Sequence, residues 1–130
     1  MKQWLIGGLM VYAGVTWAVP QYLMTHNTTD VESNAFIDGT IPSLYPTKAH
    51  TDNKVYWNMV RLACHGHTNG DQCAALVKMN THNGEAGSDS VEVGYLMLNL
   101  KTGEITPKQL SGNCYRLVVN GLGETTLSRE

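Results

Sequence analysis

Residues 91–106, VEVGYLMLNLKTGEIT, decide the fold. Val91 to Leu100 is a long apolar run interrupted only by Glu92, Gly94 and Asn99. It ends in Lys101-Thr102-Gly103-Glu104, a tight-turn composition, and Ile105 restarts an apolar step that Pro107 stops. A strand, a turn and a short return strand fit this run, with Gly94 marking a bulge.

The pattern repeats on both sides. Downstream, Ser111-Gly112-Asn113 turns into a strand from Cys114 to Val119, and Asn120-Gly121 is a two-residue hairpin signal. Gly123 allows a longer connection, and Glu124 to Ser128 makes a final strand. Upstream, Thr81 to Ser90 is a polar loop containing Asn83-Gly84 and Gly87. Before it, Cys73 to Met79 (CAALVKM) reads as a strand, with a helix capped by Asp71 as the rival because Ala74, Ala75 and Leu76 favour one.

Lys54 to Cys64 (KVYWNMVRLAC) has no Gly or Pro and is rich in β-branched and aromatic residues, which predicts a strand. In that reading Tyr56, Val60, Leu62 and Cys64 share one face; Val55, Trp57, Met59 and Arg61 share the other. Residues 19–53 are loop-rich, with Pro20, Pro42 and Pro46 breaking periodicity and Asn27-Thr28-Thr29-Asp30 turn-like. Short strands at Ala35 to Ile37 and Ile41 to Tyr45 are expected there, packed on the rest.

Short strands separated by turns give an all-β expectation: a small antiparallel β-sandwich or partly open barrel, its core in residues 54–130. Only 15% of the 130 residues are charged and the net charge is −2, which argues against a nucleic-acid binder or electrostatic docking on an anionic membrane.

Residues 1–18 read as a cleaved export signal. Lys2 supplies a positive start, Trp4 to Ala13 is a short apolar run, and Thr16 and Ala18 place small side chains before a cut at Ala18/Val19. The run is too short for a bilayer span, which takes about twenty residues. An uncleaved anchor or a buried strand is the competing reading. Cleavage leaves a protein with no membrane span, secreted or periplasmic.

Cys64, Cys73 and Cys114 are the three cysteines. In an oxidising compartment an odd number implies one bridge and one leftover thiol. Cys64 and Cys73 are close in sequence and flank the loop His65 to Gln72, so they are the expected pair, clipping a hairpin turned at Asn69-Gly70. Cys114 is then a small buried free thiol or a bridge between two copies; its pairing with either of the other cysteines is the alternative.

The densest group of metal-ligating side chains is Cys64-His65-Gly66-His67 with Asp71 and Cys73. With the cysteines oxidised, His65 and His67 remain, joined by His82, His50 or Asp71, as candidate zinc or copper ligands. Both histidines lie between the cysteines, unlike any zinc-finger spacing, and a polar loop with exposed histidines is the simpler account. No Gly-x-Ser-x-Gly elbow or Cys-x-x-Cys-His run occurs, and no set of catalytic residues stands out. Trp57, Tyr95 and Tyr115 are candidate surface anchors for a protein or glycan partner; core packing is the alternative for each. Asn27-Thr28-Thr29 fits a glycosylation acceptor.

No motif is specific enough to assign a family. The leading expectation is a small exported non-enzymatic binding module. The alternatives are a metal-binding protein or metal-dependent enzyme built on the His65/His67 loop, and a secreted hydrolase inhibitor presenting that loop.

Overall fold

The structure, a computed structural model, describes residues 19–130; the expected export signal lies outside the described residues. Eleven strands and one helix follow in chain order. They are β1 (Tyr22–Asn27), β2 (Ser33–Ile37), β3 (Ile41–Pro42), β4 (Thr51–Tyr56), α1 (Trp57–Cys64), β5 (Thr68–Asn69), β6 (Gln72–Met79), β7 (Val91–Asn99), β8 (Ile105–Thr106), β9 (Gln109–Gly112), β10 (Tyr115–Gly121) and β11 (Glu124–Arg129).

Two sheets form a β-sandwich. One runs β9-β10-β11-β1-β4; the other runs β3-β2-β6-β7-β8, with β5 also paired to β6. Inward side chains of both sheets, among them Val55, Leu117 and Leu127 against Val77, Leu96 and Leu98, make one core. Residues 22–56 supply four of these strands and belong to both sheets.

The run 91–106 folds as read. β7 carries a bulge where Val77 pairs with Gly94 and Lys78 with Glu92, skipping Val93. Gly94 has φ +150°, a conformation side chains rarely adopt, and a Cβ there would lie 3.2 Å from Leu110. The bulge switches the parity of the strand, so Val93 is buried before it and Leu96 and Leu98 after it. Cys73 to Met79 is strand, within β6.

The strand expected over Lys54 to Cys64 stops at Tyr56, and Trp57–Cys64 is α-helix. Trp57, Val60 and Cys64 fall at i, i+3 and i+7 and are the buried residues of this helix. The period-two reading failed because an eight-residue segment that is apolar on both strand faces satisfies either period, and burial chose the helical one. Trp57 seats the helix: it is 3% exposed and its Nε1–H donates to the Leu100 carbonyl at 3.0 Å.

Cys64 and Cys73 form the expected disulfide, both sulfurs fully buried. It ties the end of α1 to β6. The hairpin it clips is the small β5–β6 pair, with Thr68 opposite Cys73 and Asn69 opposite Gln72.

The C-terminal hairpins form one or two residues away from the expected turns. Strand β10 extends to Gly121 and the turn is Leu122-Gly123, with an irregularity between Val119 and Gly121. The preceding turn is Asn113-Cys114, both at positive φ (55° and 69°), between paired Gly112 and Tyr115. That is the geometry of a type I′ hairpin, in which the second position favours glycine. Cys114 is therefore exposed at a hairpin tip and not a buried strand residue. β11 pairs parallel with β1, Thr125 beside Thr25, the one parallel strand pair among the described residues.

Candidate interaction surface

The helix that replaced the expected strand rearranges the exposed side chains. Tyr56 stands at the N-cap position of α1 without a capping side-chain hydrogen bond, and Met59 and Leu62 follow at steps of three on the exposed side of the helix. They are 61%, 37% and 66% exposed, a large apolar presence for one short segment. In the strand reading Met59 and Leu62 pointed to opposite faces. The signal that could have found this patch is the i, i+3, i+7 spacing of Trp57, Val60 and Cys64, which turns the other side outward.

Tyr56 links the helix to the outer face of the five-stranded sheet. On β1 and β4, Tyr22 pairs with Tyr56, Met24 with Lys54, and His26 with Asp52. The Tyr22 and Tyr56 rings lie 5.1 Å apart at 42°, and the Lys54 ammonium sits 4.9 Å from the Tyr22 ring centre. Farther along the same face, His26 Nδ1 is 2.8 Å from Asp52 and its Nε2 is 2.7 Å from Glu124 of β11. Both contacts are hydrogen bonds only when both ring nitrogens carry a proton. The His26 pKa is accordingly raised, first by the bond to Asp52 and then by the bond to Glu124. A protonated His26 ties three neighbouring strands together.

The residues singled out from sequence are scattered. Trp57 and Tyr115 are 3% and 7% exposed, so both are core side chains and not surface anchors. Their large apolar area is worth more inside, and Trp57 satisfies its polar atom there. Tyr95 is 51% exposed, and its ring packs over Gly39, where a Cβ would collide with the Tyr95 hydroxyl. Across a depression at the end of β2, His67 Nδ1 contacts Asp38 Oδ2 at 2.8 Å.

His82 instead contacts Asp89, at 3.2 Å, within its own loop. His65 is exposed just past α1. Among the described residues, no three His, Cys, Asp or Glu side chains come together to hold a metal ion. Asn27 of the glycosylation pattern is 2% exposed, and its Nδ2 donates to the carbonyls of Val31, Thr47 and Lys48. It is a structural pin for the turn that follows β1.

Among the described residues no helix is long and apolar enough to cross a membrane. A family model described as "NttC: T2SS substrate NttC" matches residues 1–130. The chain is similar to the crystal structure of the Legionella pneumophila type II secretion system substrate NttC, at 52% identity and a TM-score of 0.81, over 86% of this chain and 100% of that one. No curated protein matches.

Proposed function

We propose, for a chain that belongs to the NttC family of type II secretion system substrates and is therefore secreted or periplasmic, that it acts by binding a protein partner through the Tyr22, Tyr56, Met59 and Leu62 surface. The observation that carries this reading is the exposed apolar stripe of α1, continuous with the tyrosine pair on the sheet.

Protein is favoured over glycan by the shape of the patch. Sugar recognition uses flat, open aromatic faces, whereas these two rings are tilted and Lys54 occupies one side of Tyr22. Met59 and Leu62 add aliphatic bulk of the kind that fills the apolar centre of a protein interface. Asp52, Glu124 and His26 supply a polar rim on the sheet side.

The test places a photo-crosslinking residue at Met59 or Leu62, with a control at the exposed Thr102. A discrete protein adduct from positions 59 and 62, competed by wild type but not by a Tyr56→Ser/Leu62→Glu variant, is the expected result. Equal competition by the variant, or binding to glycans with no protein adduct, would overturn the proposal.

A further inference from the structure

We propose that the cleft between the two sheets is a binding site for a short aliphatic molecule carrying one hydroxyl or carbonyl group. The cleft encloses a cavity of about 100 Å³. Its walls are predominantly apolar, and the alanines Ala35, Ala63 and Ala75 stand where larger side chains would close it. Inward residues at one flank, Leu23, Thr25 and Asn53 on one sheet and Ala35 and Tyr45 opposite, are only half-buried. The cleft thus meets solvent beneath the β4 edge.

A second observation assigns the head group. Most polar side chains around the cleft are already engaged: Ser33 Oγ donates to the Lys78 carbonyl, Ser43 Oγ to Asn34 Oδ1, and Asn53 Nδ2 to the Tyr45 carbonyl. Thr25 and Thr125 are different. They are register partners on the parallel pair and both line the cavity, and Thr125 is 3% exposed. The neighbouring Thr28 and Thr126 hydroxyls donate to Leu127 O and Asn120 Oδ1, whereas those of Thr25 and Thr125 make no hydrogen bond among the described residues.

A hydroxyl buried without a partner is costly, and so is an apolar void. A ligand with an apolar chain and one polar end relieves both. An apolar cavity that takes benzene measures about 150 Å³, so the occupant here is smaller, a short chain and not a ring.

The experiment titrates ¹³C-methyl-labelled protein with 1-butanol and, separately, 1-chlorobutane, a probe of similar length that lacks the hydroxyl. Saturable shifts confined to Val55, Val77, Thr125 and Leu127 are expected, with 1-butanol the tighter. Thr125→Val keeps the shape and removes the hydroxyl; it should weaken 1-butanol about tenfold and leave 1-chlorobutane unchanged. Ala75→Val should weaken both probes. It is the mild choice for folding, and its urea midpoint confirms that the variant is intact.

Non-saturable shifts spread over the surface would overturn the proposal. So would a Thr125→Val variant with the wild-type preference between probes, or a cavity that exchanges only water with the Thr125 hydroxyl and admits neither probe.

Discussion

Replacing Cys64 and Cys73 together by alanine tests how the helix is held. The bridge spans a sequence separation of 9 and joins the last residue of α1 to β6. Closing a loop of about 10 residues removes chain entropy from the unfolded state equivalent to about 2.7 kcal/mol at 25 °C. Both cysteines are fully buried, so each truncation also leaves a small void, about 1 kcal/mol per site. The expected loss is about 4–5 kcal/mol, a large share of a typical domain's stability of about 5–15 kcal/mol. With a urea slope of roughly 1.5–2 kcal/mol per molar, the unfolding midpoint should fall by about 2–3 M.

Urea unfolding followed by tryptophan fluorescence measures it, because Trp57 sits in the affected helix. Single-site alanine variants serve as controls, since each already opens the loop. A double variant whose midpoint falls by less than about 0.5 M would refute the loop-closure account. It would mean that the unfolded chain already holds these segments together.

Three further outcomes are expected. The protonated His26 is bonded to Asp52 and Glu124, so its folded-state pKa lies above the ordinary 6.5; the stability it confers is complete below pH 6.5 and is lost as pH rises through the raised value. The urea midpoint of wild type should therefore fall more between pH 6 and pH 8.5 than that of His26→Gln, and identical pH profiles would contradict the arrangement. Asn27→Ala strips donors from three backbone carbonyls and an acceptor from Thr29, and should cost about 2–3 kcal/mol by urea unfolding, far more than an exposed glycosylation acceptor would. Cys114→Gly places the favoured residue at a positive-φ turn position and should stabilise by about 1 kcal/mol in thermal melts, while abolishing any disulfide-linked dimer on non-reducing gels.

Local chemistry was legible where one explanation fits a stretch of chain. The turn Lys101 to Glu104 and the bulge at Gly94 are set by glycine's backbone freedom, and both stand where the residues put them. The Cys64–Cys73 bridge follows from two cysteines close in sequence in an exported chain. Misreadings occurred where two local solutions were equally good. Asn120-Gly121 and Leu122-Gly123 are both competent turns, and the register of β10 on β11 selected the second. Asn27 fits a glycosylation pattern by its neighbours alone, and the loop at Thr47 and Lys48 closes over it.

The sequence by itself determined the class of the protein: strand and turn periodicities and a disulfide follow from neighbours along the chain. Only the tertiary structure decided that Trp57–Cys64 is helical, because what separates a helix from a strand there is which side chains find a core to enter. The same decision buried Trp57 and Tyr115 and exposed Tyr56, Met59 and Leu62. It also brought Asp52 and Glu124 to His26 from strands 26 and 98 residues away, and set Thr25 beside Thr125 on a parallel pair. Contacts at that separation depend on how two sheets close on one another, a global packing solution that no local window of residues contains.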